Sequence, residues 1–236
     1  MPENENLYMF LNLASISVPF LASFHPRLKF YKKWKALSLA IFLTTAFYII
    51  WDVIFTYNGF WGFNERYFLG LKIAYLPIEE WLFFICIPYA CVFTHYSLLD
   101  LFPKIEFPEA LFKPALALFM LLWGIFAVLF YDKWYTLVNF TYALVLTPIV
   151  YKYNRPLLQK YLVTFLVMLI PFFLVNGVLT GSWIESEVVW YNNNENLHFR
   201  LGTIPVEDVT YAFTLILSNL ALLEFFLSRK KISPSS

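Results

Sequence analysis

The sequence has little charge. Asp, Glu, Lys and Arg together make up 14% of its 236 residues, whereas soluble domains carry about 25%. A soluble chain of 27.9 kDa needs more charged side chains to cover its surface, so an ordinary globular domain is excluded. Hydrophobic residues account for 60% of the chain, and its mean hydropathy is +0.63. This composition indicates an integral membrane protein.

Residues that serve metals and cofactors are also scarce. No two of the seven glycines are two positions apart, so the chain has no G-x-G-x-x-G motif for a nicotinamide or flavin. His25, His95 and His198 are too few and too scattered for a histidine-rich di-iron site. Cys86 and Cys91 share one apolar run and cannot form a metal framework or a disulfide scaffold. The net charge of +1 gives no electrostatic argument for a nucleic-acid partner. We therefore predict no metal, no cofactor and no nucleic-acid partner.

Long apolar runs fill most of the chain. A helix that crosses a bilayer needs about 20 apolar residues, and seven runs approach or exceed this length. They lie near residues 7–24, 36–57, 76–99, 112–131, 134–151, 157–179 and 203–227. We therefore predict an all-α fold, a polytopic bundle of seven transmembrane helices in the cell membrane, with membrane lipid around it.

The basic residues fall mostly on one side of these seven spans. Thirteen of the seventeen Lys and Arg residues lie in the connections 1–2, 3–4 and 5–6 and in the C-terminal tail. The other four are Arg66, Lys72, Lys133 and Arg200. Because cytoplasmic loops carry the excess of basic residues, we predict an outside N-terminus and a cytoplasmic C-terminus. The two longest connections, 58–75 and 180–202, then lie outside.

An internal repeat connects the two halves of the chain. The first copy contains Phe63, Asn64, Leu69, Lys72, Pro77, Ile78, Glu79 and Glu80, and the second contains Tyr191, Asn192, Leu197, Arg200, Pro205, Val206, Glu207 and Asp208. All matches keep one offset of 128 residues. Asp52 and Asn176 are polar residues in the spans before the two loops.

The repeat predicts two parallel units of three spans, 1–103 and 134–236, joined by a linking span within 104–133. Parallel repeats imply a pseudo-two-fold axis along the membrane normal, which would bring the two acid pairs to one depth. A duplication retained for packing alone is the alternative.

The paired acids are the most unusual residues of the repeat. Proline suits the first turn of a helix, so Pro77 and Pro205 predict helix starts with both acid pairs in the first turn, near the positive end of the helix dipole. Acids at helix starts can be solvated caps. However, Ile73-Ala74-Tyr75-Leu76 makes the sequence before the first pair apolar as well, and ionisable residues inside a membrane usually mark function.

Two further features favour a functional site. Adjacent like charges favour keeping one proton within each pair. Tyr211, Thr214 and Ser218 form a polar stripe below Glu207 at helical spacing, which predicts a face toward protein or a cavity. Such a site could serve proton transport, or it could protonate a carbon–carbon double bond and stabilise the cation with aromatic ring faces.

The two P-[IV]-E-[ED] motifs each follow an aromatic–Asn loop, Phe60-Trp61-Gly62-Phe63-Asn64 and Trp190-Tyr191-Asn192. This combination resembles the flavin-independent membrane lycopene cyclases over nearly the whole chain. That family occurs as two three-span subunits or as one fused seven-span chain. The resemblance implies a cofactor-free isomerase (an intramolecular lyase) that cyclises the ψ-ends of lycopene, or of a related acyclic carotenoid, to β-ionone rings. It also implies association with other enzymes of carotenoid synthesis.

The family's acidic motif falls on Glu79, Glu80, Glu207 and Asp208. We expect Glu79 and Glu207 to transfer protons, and Glu80 and Asp208 to keep the proton on the right partner or to stabilise the cation. Candidate contacts with substrate or cation are Trp81, Phe84, Tyr211, Asn64 and Asn192. The alternatives are a proton-coupled transporter, a membrane assembly subunit, and a cyclase of the same family that makes γ or ε rings or acts on C50 chains.

Overall fold

The computed structural model describes residues 5–232, and the backbone alone for 230–232. The ends of the two predicted repeats, 1–4 and 233–236, lie outside the described residues, as do the side chains of Lys230 and Lys231 in the predicted basic tail. The described helices are α1 Leu7–Ala22, α2 Trp34–Tyr57, α3 Ile78–Leu101, α4 Glu109–Leu129, α5 Trp134–Leu179 and α6 Val206–Ile232. Short 3-10 helices cover Phe30–Lys33 and Glu65–Tyr67.

Five of these helices, α2 to α6, are long and apolar enough to cross a membrane, which makes the chain a multi-pass membrane protein. Helix α1 is apolar but has 16 residues, roughly 24 Å, against a hydrocarbon core of about 30 Å. Helix α5 has 46 residues, about 69 Å, which is twice what one crossing requires. The predicted spans 5 and 6 therefore occupy two successive parts of this helical segment.

Helix α5 is interrupted at Asn154, whose backbone angles, φ −150° and ψ 66°, are not helical. The Asn154 side chain accepts a hydrogen bond from the Leu157 N–H at 3.2 Å, as an N-cap does. Pro156 lies in the turn that this cap begins, where a proline costs no hydrogen bond. The sequence Asn-Arg-Pro thus ends one helical arm, 134–153, and begins a second, 155–179.

The described helices pack into a bundle that encloses a cavity. Helix α1 packs on α3, α2 packs on α3 and α6, and α5 packs on α3, α4 and α6. The largest apolar cluster lies between α2, α3, α5 and α6. A second cluster, rich in aromatic residues, lies at the end where α3 and α6 begin and includes Tyr48, Trp51, Trp61 and Tyr135.

A two-stranded ribbon joins the two halves of the chain. Strand β1, Trp61–Phe63, pairs antiparallel with β4, Val189–Tyr191, and the register places Trp61 opposite Tyr191. Gly62 faces Trp190, and a Cβ atom at Gly62 would lie 2.4 Å from the indole ring. Glycine is therefore required for the close cross-strand approach.

Two equivalent hairpins lead into α3 and α6. Strands β2 Lys72–Ile73 and β3 Leu76–Pro77 form the first, and β5 Arg200–Leu201 and β6 Ile204–Pro205 form the second. Because each hairpin ends in a proline, the helix begins at the next residue, and each acid pair lies in the first turn. The predicted helix starts are confirmed to within one residue.

Candidate active site

The first acid of each pair is fully buried and holds the loop that precedes its helix. Oε1 of Glu79 accepts from the Leu69 N–H at 2.9 Å. Oε1 of Glu207 accepts from the Leu197 N–H at 2.7 Å, and from the Thr136 hydroxyl at 2.7 Å. Each carboxylate therefore ties the loop to the start of its own helix, and neither lines the cavity described below.

The backbone beside these acids is held by two equivalent asparagines. Asn12 Nδ2 donates to the Glu79 carbonyl at 2.8 Å, and Asn139 Nδ2 donates to the Glu207 carbonyl at 2.6 Å. Asn12 is on α1 and Asn139 is near the start of α5, so the first helix of each half supports the acid-bearing helix.

The second acid of each pair faces the cavity. The Tyr8 phenol on α1 donates a hydrogen bond to Glu80, and the Tyr135 phenol at the start of α5 donates a hydrogen bond to Asp208. Both carboxyl groups line the cavity wall although they are almost completely removed from solvent. The structure thus divides each predicted pair into one loop-holding acid and one cavity-facing acid.

A third carboxyl group lies beside Glu80. Asp52 on α2 is buried, lines the cavity and interacts directly with Glu80. Its Oδ1 accepts from Trp61 Nε1 at 2.5 Å and from the Thr56 hydroxyl at 3.4 Å. No donor among the described residues reaches its Oδ2.

Asp208 has a different environment. Besides Tyr135, it accepts from Asn176 Nδ2 at 2.8 Å and from the Tyr191 phenol at 3.0 Å. Burial and the charge of Asp208 raise the pKa of Tyr191 well above its usual value, so this phenol stays protonated and donates. Trp61 and Tyr191, which face each other across the ribbon, each hydrogen-bond to one of the cavity acids.

The cavity is elongated and encloses about 470 Å³, a volume typical of ligand sites. It runs between α1, α3, the second arm of α5 and α6. Along α3 its wall extends from Glu80 to Thr94, which is roughly 21 Å at the rise of a helix. Apart from the acid end its lining is mostly apolar, with Leu11, Ile87, Phe165, Met168, Phe172 and Ile216 among its residues.

Four aromatic rings surround the acid end of this cavity. They are Trp61, Tyr135, Tyr191 and Tyr211. The Trp61 and Tyr135 ring centroids are 5.1 Å apart, and the Trp61 and Tyr211 centroids are 6.4 Å apart. We call these four residues the aromatic box. Tyr211 is thus placed at the cavity, as the sequence predicted.

Trp81 and Phe84, the other two predicted aromatic contacts, do not line the cavity. Phe84 is buried against Tyr48, with ring centroids 6.0 Å apart, and Trp81 Nε1 donates to the Ile73 carbonyl at 3.3 Å. Trp81 lies about 100° around α3 from Glu80, and Phe84 packs toward Tyr48 of α2 instead of the cavity.

The predicted asparagines and the polar stripe have structural contacts. Asn64 donates to the Ser186 hydroxyl at 3.1 Å, and Asn192 Oδ1 accepts from the Asn194 N–H at 3.0 Å, so both stabilise the loops before α3 and α6. Thr214 accepts from the Tyr48 phenol at 2.9 Å, and Ser218 bonds to Tyr142 at 2.8 Å. Thr214 and Ser218 therefore face neighbouring helices, whereas Tyr211 lines the cavity.

The sequence reasoning missed the tyrosine and asparagine partners of the acids. A signal for them exists, since Tyr8 and Asn12 have the same spacing as Tyr135 and Asn139. Their offset is 127 residues, one less than that of the acids, so a gapless comparison of the copies does not align them. Within residues 5–232, no group of three or more His, Cys, Asp or Glu is placed to hold a metal ion.

Comparison with known proteins gives one match. The family model of lycopene cyclases matches residues 5–98 and 132–226 and leaves the segment around α4 unmatched. No curated protein and no solved structure matches the chain. The two matched segments contain both acid pairs, both aromatic–Asn loops and every helix that lines the cavity. With well over half of its residues matched, the chain belongs to the lycopene cyclase family.

Proposed function

We propose that this protein closes the ψ-ends of lycopene into β-ionone rings by proton transfer at the acid end of the cavity. Membership of the family makes it an enzyme that cyclises an acyclic carotenoid. The observation that carries the finer proposal is the placement of Glu80, Asp52 and Asp208 beside the aromatic box, at one end of a long apolar cavity. A buried acid, a buried base and aromatic ring faces are what a transient carbocation requires.

The proposed reaction is redox-neutral. A carboxylic acid proton is transferred to C2 of the C1=C2 double bond, which leaves a cation at C1. The π electrons of C5=C6 then form the C1–C6 bond, and the cation moves to C5. A carboxylate removes the proton from C6, and the electrons of that C–H bond restore the C5=C6 double bond. One proton enters and one leaves, so no oxidant or reductant is consumed.

We assign proton transfer to the cavity-facing acids Glu80 and Asp208, because a group that exchanges a proton with substrate must reach it. Glu79 and Glu207 act as positioning residues, since their Oε1 atoms are occupied by the Leu69 and Leu197 N–H groups. This assignment exchanges the roles expected from the sequence within each pair. All four acids keep a role, two in proton transfer and two in positioning.

In the proposed reaction, the rings of the aromatic box stabilise the cation. Ring faces attract a positive charge within about 6 Å, and the four rings line the wall between the two acid sites. In this arrangement Tyr211 contacts the reacting end of the substrate. Asn64 and Asn192 contribute by holding the two loops that carry Trp61 and Tyr191.

We propose that the chain crosses the membrane seven times, with the two arms of α5 as separate crossings and α1 as the first. The halves 1–103 and 134–236 then correspond to the repeat, and α4 links them. The excess of basic residues in the connections after α1, α3 and the first arm of α5 supports an outside N-terminus and a cytoplasmic C-terminus. The acids would lie toward the outer leaflet.

The substrate is itself a membrane solute, and the cavity has an opening that suits one. Ala14 and Ser15 on α1 and Pro171 and Phe172 on α5 line the cavity, and Ala14 and Pro171 are also exposed on the bundle surface. We propose that the carotenoid enters laterally from the lipid between these two helices. Entry from lipid avoids passage of a polyene through water.

The test compares adjacent acids in a lycopene-producing host. We expect Glu80→Gln and Asp208→Asn to lower conversion to cyclic carotenoids by about a hundredfold or more, the usual contribution of general acid–base catalysis. Glu79→Gln keeps an oxygen that can accept from Leu69 and should lose less. Asp132→Asn, at an exposed loop position, is the control. Equal conversion by all four variants would refute the assignment, and a wild-type chain that leaves lycopene unchanged would refute the function.

A further inference from the structure

The two halves of the site differ at one position that bears on the chemistry. In the first half, α2 places Asp52 beside the cavity-facing acid Glu80. In the second half, the second arm of α5 places Asn176 beside the cavity-facing acid Asp208. Both residues stand near the outer end of the helix preceding the ribbon strand. The pseudo-symmetric site therefore has two carboxyl groups on one side, and a carboxyl group with an amide on the other.

In the second half, the hydrogen bonds to Asp208 favour its charged form. Asp208 accepts from a phenol at each oxygen, Tyr135 at Oδ1 and Tyr191 at Oδ2, and from the Asn176 amide at Oδ2. All three groups are donors in these bonds, and hydrogen bonds to the charged form of an acid favour that form. Asp208 is therefore equipped to be ionised in the resting enzyme and to accept a proton.

In the first half, the surroundings of Asp52 and Glu80 favour one shared proton. Asp52 and Glu80 are buried neighbours, and no donor among residues 5–232 reaches Asp52 Oδ2. Two carboxyl groups that share a buried site cannot both be ionised without strong repulsion, so they share one proton. That proton satisfies the otherwise unpaired Oδ2, since a protonated carboxyl group is a donor to its neighbour.

We propose that Asp52 is a further catalytic residue, which shares with Glu80 the proton delivered to the terminal double bond, whereas Asp208 serves only as the base. The inference rests on the proposed function. It assigns the proton donor to the first half of the site and the proton acceptor to the second half. In each ring closure the Asp52–Glu80 pair loses its O–H proton to C2, and Asp208 gains the proton from C6. The proton then returns from Asp208 to the pair before the next closure. Tyr191 donates to Asp208 and lies opposite Trp61, which donates to Asp52, so the ribbon connects the acceptor with the donor pair.

Asp52→Asn separates this role from a structural one. The asparagine keeps an oxygen that accepts from Trp61 Nε1, so the bond that fixes the ribbon can remain. It cannot share a proton with Glu80. We expect the rate of cyclisation by the purified full-length protein in lycopene-containing liposomes to fall about a hundredfold or more. Asp52→Glu should recover a large part of this loss, and Asp132→Asn should match the wild type.

The pH dependence of the rate gives a readout that a structural role would not change. The titratable side chains that line the acid end of the cavity with the pair are the phenols of Tyr8, Tyr135, Tyr191 and Tyr211 and the carboxyl group of Asp208. The phenols remain protonated near neutral pH, and loss of a proton from the base Asp208 would raise the rate, so a fall with rising pH reports the donor pair. In the wild type the rate should fall as pH rises and the shared proton leaves. Without the repulsion from Asp52, Glu80 gives up its proton more readily, so in Asp52→Asn this fall should move to lower pH.

The outcomes distinguish the two proposals. A wild-type protein that produces no cyclic carotenoid would overturn the proposed function. If the wild type is active and Asp52→Asn matches Asp132→Asn, the role of Asp52 is overturned and the function stands. A slow Asp52→Asn with an unmoved pH profile would also overturn it. If Asp52→Asn has no measurable rate, recovery by Asp52→Glu supports the proposal, and failure to recover overturns it.

Discussion

At the residue scale, the main finding is that adjacent acids in one motif have different surroundings. Glu79 and Glu207 each accept from a backbone N–H, whereas Glu80 and Asp208 each accept from a tyrosine phenol and face the cavity. A rotation of about 100° per residue along a helix suffices for this division. The sequence alone predicts that the pairs matter, but it does not show which member points into the cavity.

The phenols that bond to Asp208 can be tested one at a time. Tyr191→Phe removes a donor to the carboxylate, and a hydrogen bond to a charged group is worth about 1.5–3 kcal/mol. Asp208 should then hold a proton more readily and be a poorer acceptor at neutral pH. We expect kcat/KM to fall by roughly 10–100-fold, with a deficit that shrinks as pH rises.

The control for this measurement is Tyr131→Phe, which removes a phenol from an exposed position between α4 and α5. Initial rates of carotenoid cyclisation across a pH series provide the comparison. If the deficit of Tyr191→Phe is the same at every pH, the phenol does not act through the charge of Asp208.

At the element scale, the two hairpins before α3 and α6 have the same pairing register but differ in their turns. The first hairpin turns through Ala74 at φ 50° and Tyr75 at φ 72°, and the second turns through Gly202 at φ 67°. Positive φ angles suit glycine and strain residues with a Cβ atom. Ala74 and Gly202 are equivalent at the offset of 128, so the first hairpin carries backbone strain that the second avoids.

Exchanging these residues should shift stability in opposite directions. Ala74→Gly removes strain and should raise the free energy of unfolding by up to about 1 kcal/mol, because added freedom of the unfolded chain offsets part of the gain. Gly202→Ala introduces strain and should lower it by about 1–2 kcal/mol. Thermal unfolding in detergent measures both, and Asp132→Asn, at an exposed loop position, is the control. Equal shifts of one sign for Ala74→Gly and Gly202→Ala would contradict the assignment of strain.

Much of this element structure could be predicted from the sequence. The apolar runs give the helices to within a few residues, and Pro77 and Pro205 give the starts of α3 and α6. The predicted spans 5 and 6 match the two arms of α5 in position, but the sequence does not show that a single non-helical residue, Asn154, separates them. The pairing of β1 with β4 could not be predicted, since strands of three residues separated by 125 residues of intervening chain leave no periodic signal.

The proposed lateral entrance lies between two helices and can be blocked on one of them. Ala14→Trp places a large side chain where α1 lines the cavity and is also exposed. We expect a severalfold lower kcat/KM for carotenoid presented in liposomes, with little change in protein stability. Leu13→Trp, exposed on the neighbouring face of α1 and outside the cavity lining, should leave the rate unchanged. If Ala14→Trp and Leu13→Trp have the same kcat/KM, the carotenoid enters by another route.

At the scale of the whole molecule, the cavity is shared by both halves of the chain. Helices α1 and α3 supply one wall, and the second arm of α5 and α6 supply the other. The acid donor and the base proposed above come from different halves, and the β1–β4 ribbon connects the loops that hold them. Neither half alone contains the complete set of three carboxyl groups.

This sharing makes a prediction about a divided protein. If the chain is cut in the connection between α3 and α4, residues 102–108, and the two pieces are produced together in a lycopene-producing host, we expect cyclic carotenoids to form. Either piece alone should leave lycopene unchanged, because each would present one wall of the cavity and part of the acid set. Pairing a first piece that carries Glu80→Gln with an intact second piece should abolish the restored activity, since no other half supplies a donor at that position. Cyclisation by the first piece alone would show that Asp208 and the aromatic rings of the second half are not required.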